Sequence, residues 1–154
     1  GMETSSITKR SLSSRNRTPP PGFEAISEQL QAFKTEMRVA EQASYFGKRK
    51  VEAPWEILQI HHRRSRFVYN LYYQQHAIGK ELYDYLLREK LADPLLIAKW
   101  KKPGYEKLCC LGCVTAANTH FGNVCLCRVP KAKLGDNTFF QCNPCGCRGC
   151  ASCD

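Results

Sequence analysis

Residues 109–153 read CCLGCVTAANTHFGNVCLCRVPKAKLGDNTFFQCNPCGCRGCASC and hold all ten cysteines of this 154-residue chain. No cysteine precedes Cys109. The same stretch carries Gly112, Gly122, Gly135, Gly146 and Gly149 and few large aliphatic side chains. A segment of that composition cannot bury enough apolar surface to build its own core. A covalent or coordinative scaffold has to replace it.

Disulfides and metal are the two available chemistries, and the spacing favours metal. Cys110-x-x-Cys113, Cys142-x-x-Cys145, Cys147-x-x-Cys150 and Cys150-x-x-Cys153 are zinc-knuckle spacings. Gly146, directly after Cys145, supplies the backbone freedom that such a turn needs. The opening GMETSSITKRSLSS lacks the apolar region of a secretory signal, which predicts a reducing compartment where thiols persist. A disulfide-rich module is the competing reading.

Cys125-x-Cys127, Cys145-x-Cys147 and the adjacent Cys109-Cys110 are not the usual chelate of one tetrahedral ion, because neighbouring side chains leave the chain in different directions. They suit a shared cluster in which nearby thiolates serve different ions. Three tetrahedral zinc ions need twelve bonds, and nine thiolates supply twelve if three of them bridge. Nine or ten cysteines are therefore compatible with a three-zinc cluster. Two mononuclear four-cysteine sites fit the same count.

Outward from the cysteines, the chain reads as helix. The expected fold is mainly α: a small helical domain followed by an irregular cysteine-rich zinc-cluster module. The predicted divisions are a disordered basic tail over 1–22, a helical domain over 23–108 and the zinc module over 109–154. The tail is rich in Ser, Thr, Pro and Arg, ends in Thr18-Pro-Pro-Pro-Gly22, and is expected to pack on nothing. Ile26, Leu30, Phe33, Met37 and Ala40 recur at helical spacing. Pro54 suits the first turn of a second helix running to about Gln75. On that helix Leu58, Ile60, Phe67, Val68, Leu71 and Tyr72 form a broad apolar side. Gln59, His62, Arg63, Arg66 and Asn70 share the opposite polar stripe. His61 and Arg64 fall toward the apolar side, where His61 is expected to be a hydrogen-bonded core residue. A third helix is predicted over about 80–90, with Leu82, Tyr85 and Leu86 inward. Asp93-Pro94 reads as N-cap and first-turn proline of a fourth, ending before Pro103-Gly104. Phe139-Phe140 is a candidate strand.

The formal charge of +9 favours polyanionic partners. His62, Arg63, Arg66 and Asn70 are candidate RNA contacts, because guanidinium forks and an imidazole on one stripe bind phosphates; a merely solvated face is the alternative. There is no phosphate-binding glycine loop, no HExxH and no Gly-x-Ser-x-Gly. Pro144-Cys145 approaches the zinc-deaminase pattern, but no His-x-Glu precedes it. A site saturated with cysteine lacks the open position that catalytic zinc requires. His120 is read as a non-ligand. These features point away from an enzyme and away from any small-molecule substrate. No run is apolar enough for a membrane span.

Several stretches together carry a family likeness: PPGFE at 20–24, GKRKVEAPWEILQIHHRRSRFVYNLYY at 47–73, KELYDYLLREKLADPLLIAKWKKPGYEKLCCLGC at 80–113, NVCLCRVPKAKL at 123–134 and QCNPCGCRGCAS at 141–152. They resemble the G-ten family, also called bud-site-selection splicing proteins, from Pro20 to the C-terminus. The combination of LIAKW, YEKLCC, CRVP and CGCRGC is specific to it.

The resemblance implies a nuclear, non-enzymatic pre-mRNA splicing factor of the spliceosome. It implies spliceosomal protein partners including the large U5 scaffold protein, and U6 RNA or pre-mRNA nearby. It also implies nine zinc ligands in one three-ion cluster: Cys109, Cys110, Cys113, Cys125, Cys127, Cys142, Cys145, Cys147 and Cys150. Cys153 is then a spare thiol. Gly112 and Gln74-Gln75-His76 replace residues that are basic in the family pattern, which removes charge from two surfaces. A nine-thiolate, three-zinc cluster is a net trianion that Arg128 and Arg148 are placed to offset. Two rival readings are a metallothionein-like metal store and a DNA-binding transcription factor. Seven Phe, seven Tyr and two Trp make the first unlike a bare metal store.

Overall fold

The computed structural model describes residues 18–43, 52–115, 125–133, 141–142 and 144–153. Most of the basic tail, His120 and the candidate strand at Phe139-Phe140 lie outside the described residues. Among those described there is no strand, and the regular elements that precede the cysteines are helices.

Helix α1 spans Phe23–Ala43. Its buried residues, Ile26, Leu30, Phe33 and Ala40, are four of the five that the spacing predicts, and Met37 is half-buried. Helix α2 spans Glu52–Tyr69, which puts Pro54 in its first turn. The two pack as an antiparallel pair: Phe33 meets Phe67 at 5.8 Å, Arg63 pairs with Glu36 at 2.7 Å, and Ala40 clusters with Ile60. The partner numbers fall on α2 as they rise on α1.

The α-helical part of α2 ends six residues before the predicted end. Asn70–Gln74 is a π-helical turn, in which Gln75 N–H donates to Asn70 O at 2.7 Å. One extra residue is accommodated per turn, so the apolar register shifts there. Leu71 stays buried, while Tyr72 stacks on Tyr83 of the next helix at 4.2 Å and 11°. Helix α3 spans Lys80–Arg88 and buries Leu82, Tyr83, Tyr85 and Leu86. Helix α4 spans Pro94–Trp100. The Asp93 carboxylate caps it by accepting from Leu95 and Leu96 N–H, the predicted N-cap with proline at the first position.

One expectation about the tail needs correction. Pro20 is buried, and its carbonyl accepts from Phe23 N–H at 3.3 Å. Gly22 turns the chain at φ +96, where a Cβ would lie 3.3 Å from Leu82 Cδ2. The segment thus ends with Pro20 buried and Gly22 beside Leu82 of α3, and the fixed φ of proline lowers the entropic cost of ordering it.

The core does not stop at Leu108. Val68, Leu86, Leu96, Trp100 and Leu108 belong to the same buried cluster as Cys110, Cys113, Cys125, Cys127, Cys142, Cys145 and Cys150. The cysteines themselves supply the apolar layer that the C-terminal third lacks. No helix among the described residues is long and apolar enough to cross a membrane.

Candidate metal centre

Four short segments deliver the sulfurs. Cys109 and Cys110 lead into a 3₁₀ turn, Leu111–Val114, that carries Cys113. Cys113 N–H donates to Cys110 O at 3.3 Å, which folds the first knuckle. A second 3₁₀ turn, Leu126–Arg128, sets Cys125 and Cys127. The third segment is closed by Gly146 N–H donating to Cys142 O at 2.8 Å. Gly146 sits at φ +75, and a Cβ on it would lie 2.5 Å from Cε3 of Trp55. Only glycine fits that approach. The fourth segment carries Cys147 and Cys150. Backbone bonds tie the segments together: Cys125 N to Cys113 O at 3.2 Å, Cys142 N to Cys147 O at 3.0 Å, and Cys150 N to Cys127 O at 2.8 Å.

The nine sulfurs form three tetrads. Cys109, Cys127, Cys147 and Cys150 make one; Cys109, Cys110, Cys113 and Cys145 the second; Cys113, Cys125, Cys127 and Cys142 the third. Within each, all sulfurs lie within 4.8 Å of one another. Cys109, Cys113 and Cys127 each belong to two tetrads, and the other six to one. Twelve positions are thus filled by nine cysteines with three shared. Cys153 is exposed and in no tetrad.

The donor set fits tetrahedral soft-metal coordination. A zinc–thiolate tetrahedron with bonds of about 2.3 Å has sulfur–sulfur edges of about 3.8 Å. The separations here include Cys110–Cys113 at 3.6 Å, Cys113–Cys142 at 3.7 Å, Cys109–Cys127 at 3.8 Å and Cys113–Cys145 at 4.0 Å. All ten cysteines are free of disulfides.

Arg128 meets the charge such a site would carry. Its guanidinium donates to Cys150 Sγ at 3.4 Å and to the carbonyls of Cys150 and Gly104. It also lies 5.1 Å from the centre of the Tyr105 ring. Gly149 N–H donates to Cys147 Sγ at 3.3 Å. Such N–H···S contacts stabilise thiolate. Arg148 is exposed and lines a cleft beside Cys147 and Cys150.

The polar stripe of α2 faces this module. Gln59 Nε2 donates to Cys145 O at 3.1 Å. His62 Nδ1 lies 2.9 Å from Cys109 O and its ring meets Trp100 edge-on at 5.2 Å. Burial in this contact pulls the His62 pKa below the ordinary imidazole value, so a neutral ring presents Nδ1–H to the carbonyl. Arg66 donates to Glu106 O at 2.8 Å and lies over Tyr69 and Trp100 at 4.8 and 4.9 Å. Asn70 is half-buried, at the start of the π turn. Arg63 points outward, 53% exposed, and pairs with Glu36. On the other side, His61 Nε2 meets Asp93 Oδ2 at 3.1 Å, and Arg64 reaches Lys90 O at 3.3 Å. Both turn from the polar stripe, as expected, but His61 is hydrogen-bonded at a half-buried position rather than in the core. Trp55, which covers Gly146, has no sequence signal that would have paired the two.

Residues 7–152 match the family described as Pre-mRNA-splicing factor BUD31. A Branchiostoma belcheri protein named Protein BUD31 homolog is 52% identical over 138 residues, covering 89% of this chain and 96% of its own. Pre-mRNA-splicing factor cwf14 of Schizosaccharomyces pombe is 51% identical over 145 residues, covering 94% and 99%. Pre-mRNA-splicing factor BUD31 of Saccharomyces cerevisiae is 49% identical over 150 residues, covering 91% and 96%. With nearly its whole length matched and a cysteine framework that closes into three linked tetrads, the chain belongs to the BUD31 family of pre-mRNA-splicing factors.

Proposed function

We propose that this chain is a non-enzymatic structural component of the spliceosome, working in the nucleus and held in shape by a three-zinc, nine-thiolate cluster. The observation that carries the reading is the sharing of Cys109, Cys113 and Cys127 between tetrads, because it lets nine sulfurs satisfy three tetrahedral ions without a further ligand. Zinc suits an all-thiolate tetrahedral set and has no redox chemistry of its own. When bound, it would cross-link the four chain segments that carry the nine sulfurs. Cys109, Cys110, Cys113, Cys125, Cys127, Cys142, Cys145, Cys147 and Cys150 would hold it. No ligand position is left for water or substrate, which fits a structural role.

The protein's own side chains then rigidify the whole. Gln59 and His62 dock the module on α2, Arg66 holds the Glu106 carbonyl just before it, and Trp100 Nε1 donates to Leu108 O at 2.7 Å. A metal store would need no such docking on a helical domain, which disfavours the metallothionein reading. Partners in this proposal are the large U5 scaffold protein and U6 RNA or pre-mRNA. On the His62, Arg63, Arg66 and Asn70 face, Arg63 is the side chain presented for a phosphate; His62 supports it by holding the module and Arg66 by holding the Glu106 carbonyl.

Affinity capture from nuclear extract, read by mass spectrometry and RNA sequencing, tests the assignment. Recovery of U5 and U6 components is expected, and their absence beside intact folded bait would overturn it. Arg63→Ala should lower the slope of log affinity against log salt by somewhat less than one unit, with little sequence preference. Binding that follows duplex DNA instead would favour the transcription-factor reading.

A further inference from the structure

The three tetrads are not equally protected. Six cysteines belong to a single tetrad, as the pairs Cys110 with Cys145, Cys125 with Cys142, and Cys147 with Cys150. Only the last pair is close in sequence, in the Cys-x-x-Cys spacing that closes readily into a disulfide. Cys109 and Cys147 are the two tetrad cysteines that are only half-buried; Cys109 belongs to two tetrads and Cys147 to one. A bridging sulfur such as Cys109 would divide its electron density between two ions and be the weaker nucleophile. Cys147 is therefore the tetrad sulfur that is both open and bound once. It lines a cleft of about 540 Å³ between α2 and the cysteine module, with Cys150, Arg63, Lys107 and Arg148 also on its walls. The cleft is roomy enough for a small peptide disulfide.

We propose that Cys147 and Cys150 form a redox-labile corner of the cluster, at which a small disulfide of the glutathione class oxidises the pair and releases one of three metal ions. This rests on the three-zinc reading above. The Cys147 thiolate attacks one sulfur of the reagent; an S–S bond to Cys147 forms, the reagent's own S–S bond breaks, and one thiolate leaves. Cys150, within 4.8 Å, then attacks the Cys147 sulfur and expels the second thiolate. Two cysteine sulfurs are oxidised, two reagent sulfurs are reduced, and no proton need move. Seven tetrad thiolates remain, and these satisfy two tetrahedral ions that share Cys113: Cys109, Cys110 and Cys145 complete one, Cys125, Cys127 and Cys142 the other. The count would close for any terminal pair, but only this one combines exposure with Cys-x-x-Cys spacing.

The test uses full-length zinc-loaded protein carrying Cys153→Ser, which removes the exposed thiol outside the tetrads. Zinc content is measured first; a value other than three overturns the zinc reading itself, before any oxidant is added. Glutathione disulfide in large excess is then added, with released zinc followed by a chromogenic chelator and disulfides mapped by peptide mass spectrometry. The expected result is release of one equivalent, a Cys147–Cys150 disulfide and two equivalents retained. Loss of all ions in one step, first modification at another tetrad cysteine, or no release would overturn the proposal.

Discussion

The Nδ1 atom of His62 lies 2.9 Å from the carbonyl oxygen of Cys109, so a side chain in mid-α2 holds the backbone at a cysteine shared by two tetrads. The same ring packs edge-on against Trp100. His62→Ala removes both contacts and leaves a partly buried carbonyl unpaired. The expected loss of folding stability is about 2–4 kcal/mol, read from chemical denaturation of the zinc-loaded protein. An unchanged midpoint would mean that the cluster docks without this link.

The linked tetrads make a graded prediction about metal content. The wild-type protein and Cys153→Ser should each carry three zinc ions. Cys125→Ser removes a ligand from one tetrad, and Cys127→Ser from two. Elemental analysis should therefore find a larger zinc deficit in Cys127→Ser than in Cys125→Ser. Equal deficits would argue for separate sites.

Gly146 and Trp55 give a cycle that separates two causes. Gly146→Ala meets a backbone at φ +75 and a ring carbon at 2.5 Å. The expected destabilisation is about 1–3 kcal/mol. In a Trp55→Ala background the steric part should vanish while the backbone part, about 1 kcal/mol, remains. A cost that does not change between backgrounds would show that the ring moves aside freely.

Metal removal should be visible first at the tryptophans. Trp55 covers Gly146 of the third cysteine segment, and Trp100 bonds to Leu108 immediately before Cys109. A strong chelator should shift tryptophan emission to the red while much of the helical circular dichroism persists. The α1–α2 cluster of Phe33, Ala40 and Ile60 contains no cysteine and can hold without metal. Collapse of the whole helical signal would instead mean that the shared core around Trp100 and Cys110 unfolds as one unit.

Much was legible from the chain alone, and for local reasons. The recurrence of Ile26, Leu30, Phe33 and Ala40 is a periodicity, and periodicity is a property of consecutive residues. Asp93-Pro94 announces a helix start because cap and proline act within one turn. The segregation of ten cysteines and their Cys-x-x-Cys steps announce coordination, and bond counting requires three bridges if nine ligands hold three ions. The π turn at Asn70–Gln74 carried no such local mark, since nothing in YNLYYQ separates it from ordinary helix.

Which cysteines are shared was decided only in three dimensions. Cys113 meets Cys142 at 3.7 Å, and Cys109 meets Cys127 at 3.8 Å, pairings between cysteines 29 and 18 positions apart that the residue order leaves open. The polar stripe of α2 is the second case. The sequence determined that Gln59, His62 and Arg66 share a face. It could not determine that their partners are the carbonyls of Cys145, Cys109 and Glu106, because every residue has a carbonyl and only the tertiary path turns particular ones toward a helix.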